Sequence, residues 1–231
     1  MAHTRADLIS LYRKRAGNYN FTANLYYLIG YREWAYRKRA VRALGLRPGD
    51  TVVEIACGTG LNFGLYQELV GPQGKVIGVD LNDAMLAEAA KRVERNGWRN
   101  TELIHADAAR FQFPEGPNAV ISTYAITLVA EFDEVIRSGC EALSPGGRFA
   151  ILDFKRAEWA PQWLVRAFVG ITALFGVTLD LVDRHPWESL ERYLPGTRFD
   201  ELYLGFSYLA VGAAQSSLSA IAEGAGPADF S

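Results

Sequence analysis

Short apolar runs alternate with segments of helical periodicity along most of this chain. Five runs read as buried strands, at residues 52–56, 76–80, 101–105, 119–123 and 149–154. Helical patterns lie between them at residues 62–70, at 83–96, and from the fourth strand to about residue 143. Strands that alternate with helices pair as a parallel sheet with right-handed crossovers and helices on both faces. The pattern therefore predicts an α/β fold.

Further segments surround this core. Helices are predicted over residues 6–15 and 25–44, a helical insertion at about 157–195, and a last strand over 203–211. The helix at 83–96 is predicted to begin with Asp83 as its N-cap and to end before Gly97. The predicted division is thus a helical cap at 1–49, a main domain at 50–212, and a flexible tail at 213–231.

The most informative chemistry lies in the segment TVVEIACGTGL, residues 51–61. Glu54 belongs to the first strand, and Gly58 and Gly60 follow in a tight turn. Glycine has no Cβ, so the backbone can adopt left-handed angles and lie close to a ligand. Asp80 ends the second strand, where a carboxylate can accept both hydroxyls of a ribose. This combination predicts a site for a nucleoside-containing cofactor.

The glycine spacing argues against two phosphate-binding motifs. A dinucleotide site has the pattern G-x-G-x-x-G, but Phe63 stands where the third glycine would be. The chain also lacks the G-x-x-x-x-G-K-[ST] loop that binds nucleotide phosphates. What remains is an E-x-x-x-G-x-G motif with no visible provision for phosphate.

This motif resembles the first motif of the class I S-adenosylmethionine-dependent methyltransferases. Residues 78–86, 106–108 and 143–148 resemble later motifs of that class, in the same order. The resemblance implies a Rossmann-like, doubly wound, mostly parallel seven-stranded sheet with S-adenosylmethionine as cofactor. The residues that it implies for cofactor binding are Tyr19, Glu54, Gly58, Gly60, Asn62, Asp80, Leu81, Met85, Asp107, Ala108 and Thr123.

The resemblance also implies a role for most of these residues. The two glycines of the turn would line the aminoacyl end of the cofactor, and Asp80 would hold the ribose. Asp107 and Ala108 would meet the adenine, while Leu81 and Met85 would pack on the purine. Glu54 has an alternative role as a strand-end hydrogen-bonding residue without ligand contact.

Tyr19 lies in a segment that resembles the Tyr-Asp pair preceding the core of quinone and phospholipid methyltransferases, with Asn20 in place of the aspartate. A tyrosine ring beside a sulfonium can act as a cation–π partner. The alternative is that Tyr19 only attaches the N-terminal cap to the core.

Charge is distributed unevenly along the chain. The formal net charge is −2, which gives no general indication of nucleic acid binding. Residues 1–49, however, hold ten Lys and Arg against two acids, so this cap carries +8 and the remainder −10. Eight aromatic residues interleave with these cations, a combination that suits an anionic membrane surface. Arg37, Lys38 and Arg39 are predicted to face the lipid, and a helical cap with a solvated basic face is a compatible alternative.

The charges of the first residues bear on cellular location, and the cysteine count and ligand spacing bear on metal content. The first residues carry charges that interrupt any apolar signal segment, so we expect a cytoplasmic protein, peripheral on the cytosolic membrane face. Two cysteines give no disulfide framework, and no metal-ligand spacing is visible. Cys57 is interpreted as a packing residue of the glycine turn.

The segment after the fifth strand indicates a hydrophobic methyl acceptor. Residues 167–179 form an uncharged run of 13, shorter than the about 20 that span a bilayer. This run could be an interfacial helix, a lid over the substrate, or a helix buried on the sheet. His185 could accept a proton, or it could be a loop hydrogen-bonding residue. Tyr203 begins the last predicted strand, whose aromatic ending resembles that of bacterial phosphatidylethanolamine N-methyltransferases.

The leading functional hypothesis is N-methylation of a phospholipid amine, or another amphiphilic acceptor, at a membrane surface. Tyr19, His185 and Tyr203 are the catalytic candidates, and Tyr19, Tyr26, Tyr27 or Tyr203 could hold methylated ammonium products by cation–π contact. One alternative is C-methylation of a prenylated quinone precursor. Others are methylation of a small soluble amine or thiol, and a cofactor-binding membrane adaptor without catalysis.

Overall fold

The computed structural model describes residues 30–172 and 181–216, together with Ser10, Arg13 and Leu179. In this part of the chain seven strands form one sheet. They are β1 (Thr51–Ile55), β2 (Lys75–Asp80), β3 (Thr101–His105), β4 (Ala119–Thr123), β5 (Arg148–Phe154), β6 (Arg198–Leu202) and β7 (Ser207–Ala213). The strand order is β3-β2-β1-β4-β5-β7-β6, with β7 antiparallel to both of its neighbours and the other pairs parallel. The predicted mostly parallel, doubly wound α/β fold is confirmed.

Helices cover both faces of this sheet. They are α1 (Glu33–Ala43), α2 (Phe63–Val70), α3 (Asp83–Asn96), α4 (Phe132–Ala142), α5 (Gln162–Thr172) and α6 (Pro186–Tyr193). Apolar residues of α1, α2 and α3 pack on one face, and those of α4 and α6 pack on the other. A third apolar cluster, which includes residues of α5, lies beyond the end of β5. The carboxyl ends of β1 to β5 therefore open between these layers, where ligands bind in this kind of fold.

Two local predictions need correction. The N-cap of α3 is Asn82, whose side chain accepts from the amides of Ala84 and Met85, whereas Asp83 is the first helical residue. Gly97 ends that helix in the left-handed region, as predicted. The last strand begins at Ser207, because Tyr203 lies in a short 3₁₀ turn before it.

Strand β6 was not predicted from the sequence. It is an edge strand whose residues are mostly exposed, so it lacks the apolar alternation by which half-buried strands are recognised. The predicted helix at 6–15 apart from Ser10 and Arg13, the first part of that at 25–44, and residues 217–231 of the predicted tail lie outside the described residues. Within the described residues, no helix is long and apolar enough to cross a membrane.

Candidate functional site

A buried polar network lies beneath the glycine turn. Oε1 of Glu54 accepts from Nδ2 of Asn62 at 2.5 Å and from Oγ1 of Thr123 at 3.3 Å. Nη1 of Arg37 donates to the same Thr123 oxygen at 2.7 Å and to Oδ1 of Asn62 at 3.3 Å. Asn62 precedes α2, but its side chain makes no capping bond and points into this network instead. Three residues predicted for cofactor binding are thus in direct contact.

Glu54 is the electrostatically unusual member of this network. It is 1% exposed, and its second oxygen, Oε2, has no hydrogen-bond partner. Burial raises the pKa of the carboxyl to about 7, against the lowering effects of Arg37, Asn62, Thr123 and Tyr66. A buried acceptor without a donor is costly, so this oxygen is suited to a donor group, which either the buried hydroxyl of Tyr66 or a ligand can supply.

The glycine turn has the backbone conformation that the sequence predicted. Gly58 and Gly60 have φ angles of 57° and 70°, in the left-handed region. A Cβ on Gly60 would lie 2.6 Å from the ring of Phe63, whereas one on Gly58 would meet no atom within 4 Å. The Phe63 ring also lies against Gly78 of β2, which explains why an aromatic residue takes the place of a third glycine. The open space at Gly58 is where a ligand can approach the backbone.

Asp80 holds this turn in place. Its Oδ2 accepts from the amide of Gly58 at 2.7 Å, and its Oδ1 accepts from the amide of Asn82 at 2.8 Å. A carboxylate has about four acceptor positions, and the amide of Leu81 also hydrogen-bonds to this one, so room remains for a hydroxyl donor of a ribose. Burial raises the pKa of Asp80, and the amides of Asn82, Gly58 and Leu81, together with the nearby His105, oppose the rise.

The predicted adenine-binding residues line the ends of β2 and β3. Met85 is buried, while Leu81, Asp107 and Ala108 are half-buried. Oδ1 of Asp107 accepts from the amide of Ala109 at 3.1 Å and so caps a short 3₁₀ turn. Sequence reasoning missed His105, whose Nε2 lies 3.0 Å from the carbonyl oxygen of Leu81 and fixes that loop.

A cluster of aromatic rings, here called the aromatic cluster, lies beyond the ends of β4 and β5. Its members are Tyr31, Tyr36, Tyr124, Phe154, Phe168, Tyr203 and Phe206. Tyr31 is fully buried at its centre, with ring centroids 5.0 Å from Tyr203 and 5.1 Å from Tyr36. Tyr124 and Tyr203 have φ angles of 57° and 44°, a strained conformation for a residue with a side chain. Such strain concentrates at functional sites.

Hydroxyl groups connect part of the aromatic cluster. The Tyr31 hydroxyl lies 2.8 Å from that of Tyr124 and 3.0 Å from that of Ser207. The Ser207 hydroxyl donates to the Asp153 carbonyl at 2.9 Å, so a consistent donor order runs from Tyr124 to Tyr31 to Ser207. Burial raises the pKa of Tyr31 and Tyr124 well above the ordinary value of 10.0. Both phenols therefore stay protonated at neutral pH.

The three catalytic candidates have different surroundings. Tyr203 belongs to the aromatic cluster, and burial raises its pKa. His185 precedes α6, where its Nδ1 lies 3.0 Å from Oε1 of Glu188 and its ring centroid 4.5 Å from that of Trp187. Tyr19 lies outside the described residues, as do Tyr26 and Tyr27.

The prediction that Arg37 faces lipid is wrong. Arg37 is 5% exposed, and its Nε donates to Oε1 of Glu33 at 2.7 Å. Lys38 is half-buried with its ammonium 5.6 Å from the centre of the Trp34 ring, and Arg39 is exposed and paired with Asp200. The burial of Arg37 follows from its position one helical turn after Glu33, on the face of α1 that packs against the sheet.

The strand order and the glycine turn define the class I methyltransferase fold. A Haloferax volcanii putative methyltransferase, solved with its Trm112 activator, matches at a TM-score of 0.66 and 16% identity, over 88% of this chain and 97% of that one. A Haemonchus contortus phosphoethanolamine N-methyltransferase 2, solved with phosphomonomethylethanolamine and S-adenosylhomocysteine, matches at 0.63 and 15%, over 80% of this chain and 53% of that one. Identities this low establish the fold alone.

Residues 4–169 match the model of the ubiE/COQ5 methyltransferase family, and this chain belongs to that family. A ubiquinone/menaquinone biosynthesis C-methyltransferase UbiE of Pseudomonas putida (strain GB-1) is 36% identical over 123 residues, 52% of this chain and 48% of that protein. Its namesake from Pasteurella multocida (strain Pm70) is 30% identical over 167 residues, 71% of this chain and 62% of that protein. The chain spans about half the length of the Pseudomonas relatives it matches. The predicted class of S-adenosylmethionine-dependent methyltransferases, related to the quinone type, is confirmed.

Proposed function

We propose that this protein transfers a methyl group from S-adenosylmethionine to a ring carbon of a prenylated quinone precursor. The family and the names of the UbiE relatives support a carbon acceptor of this kind over the phospholipid amine of the leading sequence hypothesis. In the structure, the observation that carries the proposal is the aromatic cluster next to the cofactor residues. Thr123 belongs to the buried network, and Tyr124, the next residue, belongs to the cluster.

The buried network and the glycine turn fit S-adenosylmethionine. The unpartnered Oε2 of Glu54 would accept from the α-ammonium group of the cofactor, beside the open backbone of Gly58. Asp80 would accept the ribose hydroxyls, and Asp107 would accept from the adenine amino group. In this arrangement Asn62 and Thr123 hold the Glu54 carboxylate in position. When bound, the cofactor supplies an electrophilic methyl group on a sulfonium.

The aromatic cluster suits a flat, electron-rich acceptor. Aromatic rings prefer offset or edge-to-face contacts, which Tyr31 already makes with Tyr36 and Tyr203. The protonated phenols of Tyr31 and Tyr124 donate to one another and to Ser207 within the cluster, and they do not act as bases at neutral pH. Their role in methyl transfer is to orient the ring so that one carbon faces the methyl group.

Carbon methylation requires that a proton leave the ring. The ring carbon gives an electron pair to the new carbon–carbon bond, the carbon–sulfur bond breaks with its pair on sulfur, and the ring proton passes to a base. His185 is the proposed base: with Nδ1 hydrogen-bonded to Glu188, Nε2 can carry the lone pair that accepts the proton.

A ring-deuterated quinol, prenylated and lacking the ring methyl group, tests the site of methylation. The proposal predicts that mass spectrometry finds one deuterium lost for each methyl group gained. A product that keeps all its deuterium would place the methyl group on oxygen and contradict carbon methylation. Asp80→Asn, which we expect to bind the cofactor more weakly, is the control for loss of deuterium that does not depend on methyl transfer by the enzyme.

N-methylation of a phospholipid amine is the second candidate. It is favoured by the four tyrosines of the aromatic cluster, since tyrosine faces attract methylated ammonium groups. Methylated phosphatidylethanolamine as the main product would establish this activity in place of carbon methylation.

A prenylated acceptor lies in a membrane, and we propose that α1 contributes to reaching it from the cytosolic side. Arg39 and Arg42 of α1 are exposed, as is Arg32 just before the helix, and Trp34 of α1 is 40% exposed. Each cation near an anionic bilayer contributes about 1 kcal/mol, and a tryptophan suits headgroup depth. These residues replace the predicted lipid-facing set, from which Arg37 is removed by its burial.

A further inference from the structure

Arg37 occupies a position between the two parts of the site. Its side chain is 5% exposed, and its Nε is held by Glu33 at 2.7 Å. On one side, its Nη1 donates to Asn62 and Thr123 of the buried network. On the other side, its guanidinium carbon lies 4.9 Å from the centre of the Tyr124 ring. The same planar group therefore contacts both the residues proposed for the cofactor and those proposed for the acceptor.

We infer that Arg37 is a positioning residue that transmits occupancy of the cofactor site to the aromatic cluster. The inference rests on the proposed function for the identity of the two sites. A cofactor ammonium that binds Glu54 acts on a carboxylate held by Asn62 and Thr123, which are both partners of Arg37. A shift of either partner moves a guanidinium that Glu33 holds at its other end.

The movement of the guanidinium reaches the cluster through Tyr124. The ring of Tyr124 is covered by Arg37, and its hydroxyl is hydrogen-bonded to Tyr31 at 2.8 Å. Tyr31 in turn contacts Tyr203, with ring centroids 5.0 Å apart. Arginine suits this function because its fork donates to several acceptors while its flat face stacks on a ring, and lysine can do neither in the same way.

The inference predicts an effect of cofactor product on tyrosines that lie beyond Arg37. Proteins with ring-labelled tyrosine are titrated with S-adenosylhomocysteine, and ring signals are assigned by Tyr→Phe variants. In the unaltered protein we expect the signals of Tyr31 and Tyr203 to shift as the ligand binds. In Arg37→Lys we expect the ligand to bind, measured by calorimetry, while these shifts are lost. Arg39→Lys, on the exposed side of the same helix, is the matched control and should keep them.

The inference would be overturned if the Tyr31 and Tyr203 signals shift equally in Arg37→Lys and in the unaltered protein. It would also be overturned if these signals do not shift in the unaltered protein when it is saturated with S-adenosylhomocysteine. If Arg37→Lys fails to fold, Tyr124→Leu removes the covered ring and should abolish the Tyr203 shift. Tyr124→Phe keeps the ring, whose centroid lies 6.1 Å from that of Tyr31, and should retain the shift through this ring contact. Neither readout uses an acceptor, so the outcome is independent of whether a quinone precursor is the substrate. Binding of a prenylated quinol, measured separately, reports on the proposed function.

Discussion

Glu54 gives the most quantitative prediction, because its pKa differs greatly between the folded and unfolded chain. Burial raises that pKa from 4.5 to about 7. The folded state therefore binds the proton more tightly, and the stability that this provides is fully present below about pH 4.5. It is lost as the pH rises through about 7, and the total loss corresponds to about 3 kcal/mol of unfolding free energy.

Glu54→Gln isolates this contribution, since glutamine keeps the shape of the side chain and cannot ionise. Urea unfolding of both proteins at pH 5, 6, 7 and 8 is the assay. We expect the unaltered protein to lose about 2.5 kcal/mol relative to the variant between pH 5 and pH 8. Asp153, which burial gives a pKa of about 6, affects both proteins equally and cancels in the comparison. Parallel stability curves across this range would refute the reasoning.

Ligand binding should favour the ionised form of Glu54, whereas burial favours its protonated form. The α-ammonium group of S-adenosylhomocysteine stabilises the ionised carboxylate, so the affinity of the unaltered protein should rise with pH between 6 and 8. With a folded pKa of about 7, the ionised fraction of Glu54 rises about tenfold from pH 6 to pH 8, so the expected rise in affinity over this range is up to about tenfold. Glu54→Gln should bind more weakly and show no such rise, as measured by calorimetry.

Three further variants test other parts of the site. Asp80→Asn should weaken S-adenosylhomocysteine binding by about tenfold or more in calorimetry, because a charge-assisted acceptor of the ribose is lost; unchanged affinity would contradict its role. His185→Ala should lower turnover by about 100-fold with the same cofactor affinity, whereas full turnover would indicate a loop role. The double variant Arg39→Gln, Arg42→Gln should bind anionic vesicles more weakly, by about 1 kcal/mol for each charge removed, and most clearly at low salt. Sedimentation with vesicles measures this binding, and equal sedimentation of variant and unaltered protein would contradict membrane docking by α1.

The central sheet was predictable because its strands are short, apolar and bounded by clear signals. Strands β3 and β4 have the predicted bounds, β2 and β5 begin one residue earlier than predicted, and β1 is displaced by one residue at both ends. The glycine turn was equally predictable, since Gly58 and Gly60 adopt angles that few other residues adopt. These features depend on residues that are close together along the chain, so they can be predicted from a single sequence.

The features that sequence reasoning missed depend on contacts between distant segments. Arg37 stands in a run of three cations, which reads as a solvated face, and only Glu33 four residues earlier hints at a buried pair. Tyr31 reads as one aromatic residue among many, and its central place depends on Tyr124 and Ser207, far along the chain. The aromatic cluster, which we propose as the acceptor side of the site, therefore required the three-dimensional structure.

The identity of the acceptor is tested most directly by competition between two lipophilic substrates. Vesicles that contain both phosphatidylethanolamine and a prenylated quinol without its ring methyl group are incubated with the protein and methyl-labelled S-adenosylmethionine. Carbon methylation of a quinone precursor predicts that the label appears in the quinone fraction after extraction and separation. Label confined to methylated phosphatidylethanolamine, or absent from both fractions, would contradict it.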